Sequence, residues 1–224
     1  MANSQVVVVV VVVLSHELGT QPWWPSLHST IILSYQRKDI MAFPPSWTRL
    51  DAEAIAGARG LSQELGPRGK LVVMLDQGTP IACAGVEPFR GEEWVNDVAG
   101  LEPPLNNKPA MSDSDIHTRN PQAGGDLIQD WEICCFCVHP YCRGQGISHI
   151  LVNNVLEVVK PLGAKRLIAN YSIEETGVMW PHLGFNIPVG KGSMLKKGWV
   201  PPGRSQEVEG LREDLHFRMG AMIL

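Results

Sequence analysis

The stretch from Val138 to Ser148 constrains the fold of this chain more than any other feature. It reads V-H-P-Y-C-R-G-Q-G-I-S, and it joins an apolar run, Ile133 to Val138, to an amphipathic pattern, Ile147 to Val159. The first pattern predicts a buried strand and the second predicts a helix. Glycines in such a turn let the backbone approach an anion closely, and the N–H groups at a helix start attract negative charge. The sequence therefore predicts a phosphate-binding turn at the edge of a mixed sheet.

The size and charge of the chain are those of an ordinary globular protein. It has 224 residues, of which 44% are hydrophobic and 19% are charged, and its net charge is −4. This length predicts one domain over residues 1–224 with a substantial core. The weakly negative charge does not favour nucleic acid as a partner.

A run of eight valines, Val6 to Val13, lies near the start of the chain. It is much shorter than the ~20 residues that a membrane-spanning helix needs. No Lys or Arg precedes it, so we expect neither a secretory signal nor a membrane partner. Eight β-branched residues in succession predict instead a first strand that is buried on both faces.

Four of the five cysteines are close together in the sequence around the predicted central strand; the five are Cys83, Cys134, Cys135, Cys137 and Cys142. A zinc site is one interpretation. Because neighbouring strand residues point to opposite faces, Cys134 and Cys135 are poorly placed to bind one ion. We therefore expect no metal, and interpret the cysteines as small apolar residues kept reduced in a cytoplasmic protein.

Periodic patterns predict the other elements. Leu27, Ile31 and Tyr35 recur at helical spacing, as do apolar residues between Leu50 and Leu65. Two apolar runs around a glycine-containing turn predict a β-hairpin. The hairpin strands are predicted at 70–75 and 81–86, a further strand at 166–171, a short helix at 174–183, and two or three strands at 186–224.

A long region without periodicity, residues 88–130, separates the hairpin from the central strand. It contains eight acidic and three basic residues. A connection of this length is usually a lid, a binding loop or a disordered segment. Its negative charge suits a cationic substrate, and a solvated loop explains the charge equally well.

Taken in this order, the elements resemble those of the GNAT superfamily of acetyl-CoA-dependent N-acetyltransferases. The match is strongest from Trp131 to Phe185, about a quarter of the chain. The acyl-CoA signature of the family is Arg/Gln-x-x-Gly-x-Gly/Ala, and this chain has Arg143-Gly144-Gln145-Gly146-Ile147-Ser148 at that place. His139-Pro140 before the signature and Leu183-Gly184-Phe185 after it add to the resemblance. It implies an α/β (α+β) GNAT-like fold, with a central, mixed, largely antiparallel twisted sheet of about six to seven strands flanked by about four helices.

The resemblance also implies where acetyl-CoA, or another acyl-CoA, would bind. The backbone near Val138 would pair with the pantetheine arm as a short extra strand. The N–H groups from Arg143 through Ser148 would surround the pyrophosphate, and the Arg143 side chain would add positive charge. The cofactor-binding residues implied in this way are Val138, Arg143, Gly144, Gln145, Gly146, Ile147 and Ser148.

Glu132 is the residue that the resemblance implies as general base. In the histone-modifying branch of the family, a carboxylate lies eleven residues before the first signature residue, and Glu132 has this spacing from Arg143. An alkyl amine, with a pKa of ~10, must lose a proton before it can attack a thioester. Strand alternation places Glu132 on one face with Cys134, Phe136 and Val138. Such an apolar setting raises the pKa of a carboxylate and suits it to this task, whereas a solvent-facing glutamate is the alternative.

Other positions depart from the family pattern. Trp180 lies where the family has the tyrosine that protonates the departing CoA sulfur, and an indole cannot supply that proton. Ile173 stands where an asparagine commonly holds the pantetheine. His182 or His139 could replace the acid, although each also suits a structural role. The candidate catalytic positions are therefore Glu132, Trp180 and His182.

Three functions are compatible with these features. The first is acyl-CoA-dependent N-acyl transfer, in its simplest form acetyl transfer to the amine of a small molecule, with residues 88–130 acting as a lid. The second is a repurposed GNAT fold that converts a small metabolite without acyl transfer. The third is a non-catalytic CoA-binding module. A homodimer is also open, because family members often pair through their C-terminal strands.

Overall fold

The computed structural model describes residues 8–36, 42–91, 129–200 and 209–224. Within these ranges the chain forms seven strands and five α-helices. The strands are β1 Val8–Leu14, β2 Lys70–Asp76, β3 Thr79–Pro88, β4 Asp130–Val138, β5 Arg166–Ser172, β6 Ile187–Leu195 and β7 Leu215–Ile223. The helices are α1 Trp24–Tyr35, α2 Ala54–Leu65, α3 Ile147–Val159, α4 Ile173–Thr176 and α5 Met179–His182. Short 3₁₀ segments occupy Ser15–Thr20, Pro140–Cys142 and Lys160–Leu162.

All seven strands lie in one sheet, in the order β1-β2-β3-β4-β5-β7-β6. Every neighbouring pair is antiparallel except β4 and β5, which are parallel. Helix α3 makes the crossover between these two, as a parallel pair requires. The predicted mixed, largely antiparallel sheet and its β2–β3 hairpin are confirmed.

β4 and β5 stay together for only part of their length. Their pairing runs from Asp130–Arg166 to Ile133–Ala169, whereas β4 continues to Val138 and β5 continues to Ser172. We call the opening beyond the last pair the fork. In the fork, the facing edges of β4 and β5 no longer pair with each other. An extended ligand could pair with such an edge.

A β-bulge in β4 lies where the fork begins. The register of β3 against β4 shifts between Cys83 and Gly85, so that two residues of β4, Cys135 and Phe136, lie opposite a single residue of β3. Cys135 has a φ of 43°, in the left-handed region that residues other than glycine rarely adopt. The extra residue bends the strand and reverses the faces of the residues that follow it.

The core has a part on each face of the sheet. On the face that we call the α3 face, the helix residues Leu151, Val155 and Val159 pack on the sheet, as the predicted stripe requires. Their partners in the sheet include Val72, Ala84, Trp131, Ile133, Phe136, Val138, Leu167 and Ala169. On the opposite face, the α1–α2 face, Leu27, Ile31, Leu61 and Leu65 cover Leu71, Val73, Cys83, Cys135 and Cys137.

The prediction that the valine run forms a strand buried on both faces is wrong in its burial. β1 pairs with β2 and forms an edge of the described sheet. Val9 and Val12 are 51% and 46% exposed, and among the described valines of the run only Val13 is buried, at 3% exposure. Valine favours the extended backbone whether or not strands pair with it on both sides. The composition therefore predicted the strand but not its place in the sheet.

Two further predictions are modified by the structure. The helix predicted at 174–183 is divided into the single turns α4 and α5 around Gly177, and Pro181 lies in the second turn. Most of the predicted lid, residues 92–128, lies outside the described residues, and the preceding strand β3 extends to Pro88. No helix among the described ranges has the length and apolar character needed to cross a membrane.

Candidate functional site

The turn between β4 and α3 presents a row of unused backbone donors. Within the part of the chain that the structure describes, no acceptor bonds the N–H groups of five successive residues, Gly144, Gln145, Gly146, Ile147 and Ser148. Gly144 and Gly146 have φ values of 74° and 75°, which other residues reach only at a cost. A Cβ built on either glycine would meet no atom within 4 Å. The turn therefore has both the donors and the open space that a phosphate group needs.

The start of α3 adds to the attraction of this turn for an anion. Gly146 is the N-cap residue of this thirteen-residue helix, and no side chain caps it. The first N–H groups of a helix carry the positive end of its dipole. Donors and dipole therefore point to the same place, as predicted from the glycine pattern.

Arg143 makes contacts within the chain that the sequence did not indicate. Its guanidinium donates to the carbonyl of Val138 at 3.3 Å and to the carbonyl of Ser34 at 2.9 Å. Its backbone N–H donates to the Pro140 carbonyl at 3.5 Å. Arg143 therefore ties the turn to β4 and to the end of α1, and the unused donors begin one residue later, at Gly144.

Val138 turns its backbone polar groups away from β3. The N–H of the next residue, His139, donates to the Ile81 carbonyl at 2.7 Å, and successive residues of a strand alternate in the side to which these groups point. The Val138 carbonyl accepts from the Ser34 hydroxyl at 3.1 Å as well as from Arg143. The Val138 N–H is therefore the group of this residue that faces the fork and is available to a ligand.

Glu132 lies in a buried cluster of charges. It is 2% exposed, and it is the register partner of Glu87 on β3, which is 4% exposed. Arg90 Nη2 lies 3.0 Å from Glu87 Oε1 and 3.7 Å from Glu132 Oε1. Burial raises the pKa of Glu87 to about 8, Arg90 opposes this shift, and the charge of Glu132 adds to it. The alternative of a solvent-facing Glu132 does not hold.

Glu87 was not predicted from the sequence, and the predicted face shared by Glu132 with Phe136 and Val138 is wrong. The bulge at Cys135 separates Glu132 and Cys134, on the α1–α2 face, from Phe136 and Val138, which pack on the α3 face. The expectation of one shared face followed simple alternation, which fails across a bulge. Glu87 ends an apolar strand, and only the pairing of β3 with β4 brings it to Glu132.

Trp180 fills the α3 face of the fork. Its ring lies 5.1 Å from that of Phe136 on β4 and 6.2 Å from that of Tyr171 on β5, to which it is stacked. Phe185 meets it edge-on at 5.1 Å, and Trp180 is 6% exposed. The indole therefore packs between the side chains of the two diverging strands and supports the opening.

The two candidate histidines lie outside this aromatic cluster. His182 is exposed at the end of α5. His139 Nδ1 accepts from the Tyr141 N–H at 3.3 Å and thereby caps the 3₁₀ turn after β4. The structure therefore gives His139 a local structural contact, while a catalytic use of His182 stays a prediction.

The cysteines do not alternate as expected, because the bulge brings Cys134, Cys135 and Cys137 to the α1–α2 face. Cys83 Sγ lies 3.5 Å from Cys137 Sγ across the β3–β4 pair. Among the described residues no group of three His, Cys, Asp or Glu side chains is arranged to hold a metal ion. The prediction that Cys134 and Cys135 point to opposite faces of the strand is therefore wrong.

A cavity of about 550 Å³ lies beside α2 and is lined by Arg49, Asp51, Arg59 and Glu64 among others. It contains none of the predicted site residues. The features relevant to chemistry are instead the buried carboxylates at the start of β4, the fork along its second half and the turn after its end.

Solved structures with this architecture define the class of the fold. The ribosomal-protein-alanine N-acetyltransferase from Brucella melitensis matches with a TM-score of 0.53 and 17% identity, over 96% of this chain and 99% of its own. The protein yncA from Salmonella typhimurium, solved with its cofactor acetyl-CoA, matches with a TM-score of 0.51 and 13% identity, over 95% and 92%. An acetyltransferase from Thermus thermophilus gives 0.51 and 12%, over 97% and 99%. The chain therefore has the fold of the GNAT acetyltransferases.

A sequence comparison agrees with the fold. The model of the acetyltransferase (GNAT) family matches residues 118–176, which include Glu132 and the signature from Arg143 to Ser148. The matched range ends before Trp180 and His182. No curated protein matches the chain significantly in sequence. The predicted resemblance to the GNAT superfamily is thus confirmed.

Proposed function

We propose that this protein is an acetyl-CoA-dependent N-acetyltransferase that acts on the amine of a small molecule. The observation that carries the proposal is the row of five unused N–H groups, Gly144 through Ser148, next to the open edge of β4. Phosphate at a helix start and an extended arm along a strand edge are the two contacts that a CoA molecule offers. When bound, acetyl-CoA would supply a thioester whose carbonyl carbon an amine can attack.

The residues of the chain have separate tasks in this proposal. The five N–H groups bind the pyrophosphate. The Val138 N–H donates to the thioester oxygen and stabilises the negative charge that develops there. Holding the thioester and the amine side by side lowers the barrier further, because the reaction no longer waits for a collision.

Glu132 accepts the proton that the attacking amine must lose. The N–H bond of the substrate ammonium breaks and an O–H bond forms on the carboxylate. After attack the carbon–sulfur bond would break, the nitrogen would lose its second proton to water, and the sulfur would leave as a thiolate. Because the Trp180 indole cannot deliver a proton, we expect water to protonate the sulfur.

A small-molecule acceptor is favoured by the length and acidity of residues 88–130, which suit a lid over a cationic metabolite. The substitution of the usual acid by Trp180 supports a second candidate, a CoA-binding module without turnover. A repurposed site without CoA binding is the third possibility retained from the sequence.

One experiment separates these functions. The purified chain is mixed with acetyl-CoA and a panel of small primary amines, amino acids and peptides, and free thiol is followed with time. We expect amine-dependent thiol release and an acetylated product by mass spectrometry. CoA binding by calorimetry without thiol release would favour the binding module. Neither binding nor release by the folded protein would favour the repurposed site.

A further inference from the structure

Two thiols that the proposed mechanism does not use lie side by side in the core. Cys83 on β3 and Cys137 on β4 are register partners, and their sulfur atoms are 3.5 Å apart. Both belong to the α1–α2 face, and the two residues are 0% and 4% exposed. Both are free thiols. The two sulfurs are therefore in contact without a covalent bond between them.

The backbone around this pair has the dimensions of a disulfide site. Further along the same ladder, the His139 N–H donates to the Ile81 carbonyl at 2.7 Å. Because hydrogen-bonded and non-hydrogen-bonded pairs alternate in an antiparallel ladder, Cys83 and Cys137 are again a hydrogen-bonded pair, with Cα atoms ~5.5 Å apart. Disulfides span Cα distances of about 4.4–6.8 Å, and closure requires the two sulfurs to approach by about 1.5 Å.

The two thiols differ in acidity. The pKa of Cys137 is lowered, because its sulfur accepts a hydrogen bond from the Cys83 thiol and a further one from the Ser34 hydroxyl, although burial opposes the shift. The pKa of Cys83 is raised, first by its hydrogen bonds with Cys135 and Cys137 and then by burial. The thiolate is the form of cysteine that attacks an oxidant. Cys137 is therefore the sulfur that reacts first, and Cys83 is the thiol that resolves it.

We propose that Cys83 and Cys137 form a redox-sensitive site, which a hydroperoxide closes to a cross-strand disulfide that slows acetyl transfer. The regulatory part rests on the proposed function. A hydroperoxide suits this site because both sulfurs are buried. Hydrogen peroxide is close to water in size, so a brief local opening admits it and excludes a larger oxidant such as oxidised glutathione.

The reaction has two steps. The Cys137 thiolate attacks one oxygen of the peroxide, the O–O bond breaks, and the sulfur becomes a sulfenic acid while the other oxygen leaves as water. The Cys83 thiol then loses its proton and attacks the Cys137 sulfur, so that the S–S bond forms, the S–O bond breaks and a second water leaves. The two sulfurs give up two electrons in all, and the peroxide takes them.

The disulfide would act on the site through the residue that follows Cys137. Val138 carries the N–H that faces the fork, and its carbonyl accepts from the Ser34 hydroxyl at 3.1 Å. Because Ser34 also bonds the Cys137 sulfur, movement of this sulfur towards β3 disturbs both the strand and the α1 contact that hold Val138. A displacement of about 1 Å at a group that positions the reaction can cost ~10²-fold in rate.

The direct test maps the bond in the full chain. The reduced protein is treated with hydrogen peroxide, its remaining thiols are alkylated, and it is digested with trypsin. Cleavage after lysine and arginine leaves Cys83 on the peptide 71–90 and the other four cysteines on the peptide 120–143. We expect these two peptides to be linked, with Cys137 identified as the second cysteine by fragmentation. Thiols that all remain open to alkylation after unfolding, or a bond that omits either cysteine, would overturn the proposal.

The kinetic test compares acetylated product formed by the protein before and after peroxide, which catalase removes before the assay. We expect oxidation to lower kcat by about tenfold or more, and dithiothreitol to restore it. CoA affinity in calorimetry should stay within about threefold, because the phosphate donors lie beyond Val138 in the turn. A linked protein with the kcat of the reduced one would contradict the regulatory part.

Two variants locate the effect. Cys83→Ala removes the resolving thiol and the main hydrogen bond that lowers the pKa of Cys137, so the same peroxide treatment should give no linked peptides and leave kcat in place. Cys142→Ala, a matched change at a half-buried cysteine outside the pair, should respond to peroxide as the wild type does. An equal loss of kcat in folded Cys83→Ala would mean that oxidation acts elsewhere.

Failure of the two proposals looks different. A protein that forms the linked peptides but acetylates no amine refutes the proposed transfer and its regulation, and supports the disulfide site. A protein that transfers acetyl groups but forms no linked peptides refutes the redox site alone. Should Cys83→Ala not fold, the peptide map and the dithiothreitol reversal of the wild type still decide the proposal.

Discussion

At the scale of single residues, the site depends on where three backbone or carboxylate groups point. The Val138 N–H faces the fork, because its neighbour His139 is bonded to β3. Glu132 and Glu87 are register partners on neighbouring strands, and both lie near Arg90. The resemblance to the GNAT family implied Glu132 and Val138 as candidate site residues. The sequence did not predict Glu87, because Glu87 reaches Glu132 only through the pairing of β3 with β4, and no local sequence pattern shows that pairing.

Substitution of Glu132 by glutamine tests its role as base. We expect kcat to fall by ~10²–10⁴-fold, since a positioned base contributes about this much. CoA affinity, measured by calorimetry, should stay within about threefold, because the phosphate donors lie in the turn between β4 and α3 and not beside Glu132. A variant with unchanged kcat would exclude Glu132 as the base.

Glu87 predicts a pH dependence of stability. Its pKa is about 8 in the folded protein and ~4.3 in an unfolded chain. Between these values the folded state holds a proton that the unfolded state releases, so the contribution of Glu87 to stability is largest below ~4.3 and falls as pH rises to about 8. Urea unfolding should show wild type losing up to about 1.4 kcal/mol per pH unit relative to Glu87→Gln in this window. Parallel stability curves for the two proteins would contradict the shift.

At the scale of elements, the turn before α3 is the most predictable part of the site. Two glycines, a preceding apolar strand and a following apolar stripe predicted it without the structure. The face of Glu132 was not predictable in the same way. Nothing in Cys134-Cys135-Phe136 marks the bulge, which depends on how β4 meets β3.

Substitution of Gly146 by valine tests the turn. Gly146 has a φ of 75° with open space around it, and Gly78 in the β2–β3 turn has a φ of 82° with the same openness. We expect either Gly→Val change to cost about 1–2 kcal/mol of unfolding free energy. Only Gly146→Val should also weaken CoA binding, by about tenfold or more, because only this turn carries the phosphate donors. Equal affinities of the two variants for CoA in calorimetry would move the cofactor site elsewhere.

At the scale of the whole molecule, the sheet has an apolar edge. β1 exposes Val9, Val10 and Val12, and no other strand of the described chain pairs with its outer side. Composition predicted the strand and not its edge position, because eight valines suit a central strand better than an exposed one. Uncovered edges of this kind favour association with other chains.

A lysine at Val12 tests this edge. Val12 is 46% exposed, and Ile150 on α3 is 45% exposed, so Ile150→Lys is a matched control. We expect Val12→Lys to slow aggregation during gentle heating, followed by light scattering, while Ile150→Lys does not. Unfolding free energies of both should stay within about 1 kcal/mol of wild type. Equal aggregation rates for Val12→Lys and wild type would show that aggregation does not proceed through the edge at β1.

The bulge in β4 has a consequence for how such a chain can vary. Deleting Cys135 would remove the bulge and restore strict in-and-out order, while Phe136 and Val138 would keep their faces and their places opposite β3. Deleting Cys137 instead would turn Val138 to the other face and rotate its amide towards β3. Along this strand the number of residues can therefore change without reversing later side chains only at the bulge.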